Sequence, residues 1–322
     1  MKTNIKNTLG KASLTLLKLG FTRCKNSSKL GSHSFAQVFI FALSSFLFIS
    51  CDQQEVESFD SQKDTPISIA SAGVAELTTR AIIEGQLIGA VDENATMSVF
   101  VTGGSADKYN ADNVEWIHDG TDWWSADSPT LFEGANSKQK ICALSPYVDG
   151  ASAEGVTITA DGTTDYLVAS QTLITSNPVN IVMSHALAML VLNPTLGTEV
   201  AGDNIATVEV QNMYTQGTFN VEENSWSDQG EATATFSMNK VNGNYEVLVI
   251  PMEECQSFPM VITMSSGRAF SANISLANVG NKLEGGTQYT IKLQIGHDTV
   301  TIGDISAASW GTPVEGGDLE TL

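Results

Sequence analysis
The chain has 322 residues, of which 36 are acidic and 16 basic, for a net charge of −20. That balance excludes nucleic acid as a partner, because binding phosphates takes Lys and Arg to displace counterions; it also repels anionic membrane surfaces and favours solubility. Four Cys, with no CxxC pair and no His-rich spacing, leave no structural metal site and no cofactor to expect.

Residues 1–50 carry no Asp or Glu and seven basic residues, Lys2, Lys6, Lys11, Lys18, Arg23, Lys25 and Lys29. The apolar run Phe35 to Ile49 follows and ends at Ser50-Cys51. A basic flank, a short apolar core and a small residue mark a signal peptide. The run spans 15 residues, short of the roughly 20 that a membrane-spanning helix needs. Phe48-Ile49-Ser50-Cys51 is similar to a lipobox, which makes Cys51 the expected lipidation site. Stable anchoring takes more than one acyl chain or a second signal. Taking the seven basic residues from 16 leaves nine against 36 acidic ones, a charge of −27 for the mature chain. Residues 51–65, DQQEVESFDSQKDT with its Cys, are polar and acidic and read as a flexible tether.

Beyond the tether the chain reads as short strands with turn residues between them, the pattern of sandwiches and barrels. MSVFVTGG (97–104) is a strand entering a Gly turn. Trp116, Trp123 and Trp124 cluster in VEWIHDGTDWW, either as packing of two strands or as candidate glycan contacts. The nearby Asp107, Asn110, Asp112 and Asn113 lack the Gly-containing loop of a calcium site. GVTITADGTTDYLVAS (155–170) is two strands joined around Asp161-Gly162. Ala186 to Leu192 fits helix or strand, and His185 before it reads as a buried structural His at a strand start. ATVEVQNMYTQGTFNVEENSWS (206–227) alternates apolar and polar residues. Hairpins are expected at Asn242-Gly243, a strong turn signal, at Ser266-Gly267, and within residues 286–302. Cys142 and Cys255 sit in strand-like apolar sequence and read as buried thiols more readily than as a disulfide. No GxSxG elbow, P-loop or dinucleotide fingerprint occurs, so an enzyme is not expected and no catalytic residue is assigned.

Several segments resemble the fimbrillins, pilus subunits of Bacteroidota. They are LTTRAII (77–83), ICALSPY (141–147), DYLVAS (165–170), MSHALAMLVL (183–192), EGGTQYTIKL (284–293) and ISAASW (305–310). Each motif is short; their order covers nearly the whole mature chain. The resemblance implies an all-β fold of two tandem transthyretin-like β-sandwich domains, 66–180 and 181–322. It implies a fimbrial, accessory or tip subunit exported as a lipoprotein to the outer membrane surface. Its partners would be other fimbrial subunits, the membrane through the N-terminal lipid, and a host or bacterial surface ligand. It implies protease cleavage between Arg80 and Ala81, loss of a first strand that includes Pro66 to Ala70, and strand exchange. The tail after Trp310 is then the expected donor. The rival reading is a non-polymerising surface lipoprotein with a glycan-binding role.

Overall fold
Short β-branched and aromatic runs separated by Gly, Asn and Asp become 21 strands in the computed structural model, which describes residues 62–74, 82–83, 86–87, 94–125, 127 and 129–310. In chain order these are β1 (Ile69–Val74), β2 (Ile82–Ile83), β3 (Gln86–Leu87), β4 (Thr96–Thr102), β5 (Ala111–His118), β6 (Trp123–Ser125), β7 (Lys140–Ser145), β8 (Val156–Thr159), β9 (Leu167–Leu173), β10 (Val179–His185) and β11 (Ala188–Leu196). The rest are β12 (Ile205–Tyr214), β13 (Gln216–Asn220), β14 (Ser225–Asp228), β15 (Thr233–Ser237), β16 (Asn239–Val241), β17 (Asn244–Val249), β18 (Ser257–Met264), β19 (Ala269–Ser275), β20 (Thr287–Ile295) and β21 (Val300–Ser309). Helical structure among the described residues is limited to three single 3-10 turns. The protein is all-β, as its strand-and-turn pattern requires.

A seven-stranded sheet has the order β1-β10-β9-β7-β4-β5-β6. Its interior strand β4 is buried on both faces, which is why MSVFVT reads as a largely apolar run instead of an alternating one. Met97, Val99 and Val101 enter a smaller core with Ile67, Ile69 and Phe132. Phe100 enters a larger core on the other side, together with Cys142 and Leu144. That larger core is shared by a five-stranded sheet, β16-β17-β11-β20-β21, and a four-stranded sheet, β15-β12-β18-β19. β12 keeps the alternation expected of a half-buried strand. The ambiguous Ala186 to Leu192 segment is strand: β11 lies between β17 and β20 and is buried from Ala188 to Leu192. Cys142 and Cys255 are free and buried, both in the larger core, and burial pushes the Cys142 thiol up to about 12.

Three turn readings hold. Val241 pairs with Asn244, and Asn242 and Gly243 take φ of 50° and 91°, the two positive φ values of a type I′ turn. β18 pairs with β19 around Gly267, and β20 with β21. The segment around Asp161-Gly162 is a correction. Both strands exist, but β8 pairs with β13 and β9 with β7 and β10, so no hairpin joins them. The expected boundary at 180/181 falls inside β10, and His185 ends that strand instead of starting one.

Candidate functional site: the first strand and its cleft
Residues 62–65, expected as the end of a flexible tether, are stitched into the fold. Asp64 N–H donates to the Phe132 carbonyl at 2.8 Å and Phe132 N–H returns a bond to the Thr65 carbonyl at 2.8 Å. Lys108 Nζ and the Tyr109 hydroxyl both donate to Asp64 Oδ1 at 2.6 Å, and these two bonds hold the Asp64 carboxyl below its ordinary value. Ile67 N–H then donates to the Thr130 carbonyl at 2.8 Å.

β1 follows as the edge of the seven-stranded sheet. Among the described residues it pairs in parallel with β10 alone, from Ile69↔Val179 to Val74↔Met183, with a bulge after Ile69. Ile67, Ile69 and Ala72 are buried in the smaller core. A fully buried aliphatic side chain contributes about 1.5–3 kcal/mol. The two isoleucines alone thus supply an amount comparable with the lower end of a whole domain's net stability.

One side chain does most of the polar fastening. Asn177, 7 % exposed, lies two residues before β10. Its Oδ1 accepts from Ser68 N–H at 2.9 Å and from Ser68 Oγ at 3.1 Å. Its Nδ2 donates to Thr65 Oγ1 at 3.0 Å and to the Pro66 carbonyl at 2.8 Å. Its own carbonyl accepts from Gln62 Nε2.

The other edge of β10 is nearly free of its sheet. β10 meets β9 at only two positions, Ser184↔Val168 and His185↔Leu167. Beyond them lies a cleft of about 340 Å³ lined in part by Ala169, Ile174, Val179 and Ile181. Leu173 and Val182 stand at its rim, 47 % and 64 % exposed. β10 is therefore held over five positions by β1 and over two by β9.

The other singled-out residues divide. Trp116 is buried in the smaller core, so it has no face for a sugar. Trp123 packs on that core with its ring 5.2 Å from His118. Trp124, on the opposite face of β6, is 46 % exposed. Asn110 closes its own loop, bonding the backbone of Gly104 and Ala106. Among the described residues no group of three or more His, Cys, Asp or Glu is arranged to hold a metal. Cys51, Arg80, Ala81 and the tail after Trp310 lie outside the described residues.

Three separate motifs meet at one point. His185 Nδ1 lies 2.7 Å from Asp165 Oδ2, and the Trp310 ring stacks on His185 at 3.7 Å and 16°. All three residues are buried. Sequence reading found each motif but not their convergence, and it missed Asn177, whose Ser-Asn-Pro setting reads as an ordinary turn.

The fold has solved relatives. A proposed cell adhesion protein from Bacteroides uniformis aligns with a TM-score of 0.56 and 18 % identity, over 69 % of this chain and 94 % of that one. A second, from Bacteroides ovatus, aligns with a TM-score of 0.54 and 15 % identity, over 77 % of this chain and 98 % of that one. No curated protein sequence matches this chain. The family described as fimbrillin-like matches residues 79–310, most of the chain, and with the resemblances of its strand motifs this establishes that the protein belongs to the fimbrillin-like family.

Proposed function
We propose that the protein is a fimbrial, accessory or tip subunit that serves adhesion. In this reading it is exported as a lipoprotein through Cys51, matures by cleavage at Arg80-Ala81 and assembles by strand exchange. The observation that carries the assembly step is the position of β1. Among the described residues it is an edge strand with one neighbour, and Ile67, just before it, and its own Ile69 and Ala72 are buried. Taking it away would leave β10 with unpaired N–H and C=O groups beside empty apolar pockets, and an incoming extended strand satisfies both. The weak β9–β10 seam supports the same reading, because β10 is free to adjust to a donor once β1 has gone. The role is structural, built on backbone pairing and not on a catalytic group. β1 lies in the expected first half, 66–180, and its partner β10 runs on into the expected second half, 181–322, so the proposed groove draws on both.

Arg80 and Arg268 are the only Arg in the mature chain, and Arg268 is engaged with Asp203 at 3.0 Å. Limited digestion of the pure mature protein with an Arg-specific protease is expected to give a new N-terminus at Ala81 and an SDS-resistant ladder. Mass spectrometry of surface-extracted protein is expected to find either acylated Cys51 or that new N-terminus. Arg80→Ala should abolish both cut and ladder; a ladder as strong as the wild type's from Arg80→Ala sinks the reading.

One observation favours the second reading, a glycan-binding surface lipoprotein: the exposed indole of Trp124. An aromatic face stacked on a sugar predicts that Trp124→Ala loses glycan-array signal at least tenfold with an unchanged melting temperature. Absence of wild-type binding on the array removes this second reading.

A further inference from the structure
We infer that Asn177 is a clasp that retains the first strand, so that cutting the chain after β1 is not by itself enough to open the groove. The inference rests on the strand-removal reading for its biological meaning and adds a control step to it.

The carboxamide of Asn177 has two N–H groups and two acceptor positions, and all four are spent on residues 65–68. It acts as a length of backbone would, bridging a stretch where the regular ladder has not yet begun. The ladder starts immediately beyond: Val179 N–H donates to the Ser68 carbonyl at 2.8 Å, and Ile69↔Val179 is the first pair. On the opposite side the same stretch is tied to residues 130–132 by the Asp64, Ile67 and Phe132 backbone bonds. Residues 64–68 are thus held from both sides, whereas Ile69 to Val74 are held from one.

That asymmetry sets an order of events. A cut beyond Val74 frees the end of β1 that has one neighbour, and fraying from that end meets the bulge after Ile69 and then the clasp. Release waits on the opening of the clasp, which is buried and loses its bonds together. Hydrogen bonds that leave buried polar groups without partners when broken are costly to open, so the clasp dominates the polar part of the barrier. A retained strand shields the groove until a competing strand or a fluctuation displaces it, which protects the cut subunit from premature pairing.

The experiment uses the whole mature chain. Deuterium exchange by mass spectrometry is expected to run at least tenfold faster in Asn177→Ala for peptides covering residues 65–74, with peptides from β4 and β7 unchanged. In a second arm a recognition sequence for a site-specific protease replaces residues 75–81, so that cutting does not depend on Arg80. The N-terminal fragment is then expected to stay with the cut wild type at least tenfold longer than with Asn177→Ala, read by size-exclusion chromatography. Should circular dichroism show Asn177→Ala unfolded, the double variant Thr65→Val, Ser68→Ala removes two hydroxyl partners from the strand itself and is expected to shift exchange and release in the same direction. Equal release and equal exchange in wild type and folded variant overturn the clasp. A strand that leaves faster from the variant while neither cut protein polymerises supports the clasp and instead removes strand exchange.

Discussion

Trp310→Ala is expected to lower the unfolding free energy by roughly 3–5 kcal/mol, the usual cost of truncating a buried Trp. The indole is 6 % exposed and belongs to the larger core. It stacks on His185 at 3.7 Å, and His185 in turn meets Asp165 at 2.7 Å. The Trp310 backbone N–H donates to the Gly286 carbonyl at 2.8 Å, tying the end of β21 to the turn before β20. Truncation therefore opens a cavity and uncovers the buried His185–Asp165 pair to water. For a chain of this size about 1 kcal/mol shifts Tm by about 2–4 °C, so a fall on the order of 10 °C is the expected reading. Trp310→Phe keeps an aromatic face on His185 and should recover more than half of the loss. It gives up part of the indole's volume and an Nε1 that has no hydrogen-bond partner among the described residues, so no hydrogen bond is forfeited. A fall of less than 1 kcal/mol for the alanine variant would show that the stack is ornamental to the core.

The second expected result is a stability difference that depends on pH, centred on Glu246. This residue lies in β17, opposite Val191 on one side and Asn239 on the other. Its Oε2 is buried without a hydrogen-bond partner among the described residues, and burial pushes its carboxyl up from the ordinary 4.5 to about 7. Below pH 4.5 the group is protonated in folded and unfolded chains and costs nothing. Between 4.5 and about 7 the unfolded chain ionises first, so stability falls as pH rises. Above about 7 the penalty is complete. Glu246→Gln, a neutral isostere, is therefore expected to match the wild type at pH 4 and to be more stable at pH 8. The gain is roughly 1–2 kcal/mol once the partial exposure of the side chain is discounted. Thermal melts of both proteins at pH 4, 6 and 8 measure it. A gain that is the same at all three pH values, or largest at pH 4, contradicts the assignment.

What the sequence by itself determined is what short-range physics controls. The strand character followed from β-branched and aromatic runs, and the tight turns from residues that accept positive φ. Asn242-Gly243 needed no knowledge of its surroundings, because the φ demand of a two-residue hairpin is met within those two residues. The alternation of β12 and the largely apolar run of β4 announced one buried face and two. The motif order from Leu77 to Trp310 was likewise legible as a family resemblance, and the family match covers residues 79–310.

Tertiary structure alone decided which strands are neighbours. Asp161-Gly162 has sound turn chemistry: the Asp161 carboxylate accepts from the N–H and hydroxyl of both Thr163 and Thr164, and Gly162 takes a φ of 86°. Yet the Gly162 carbonyl accepts from Leu248 N–H at 3.0 Å, so the turn is docked on β17 and the flanking strands part. β8 goes to β13 because Val156 and Ile158 are thereby buried completely in the larger core. A turn residue sets where the chain reverses, but the edge that a strand joins is chosen by the apolar surface it covers, and that surface comes from residues far along the chain. The same reason hid the two side-chain clusters. Asn177 fastens residues more than 100 positions earlier, and Trp310 closes over His185 and Asp165 from the far end of the chain, pairings that no local pattern encodes.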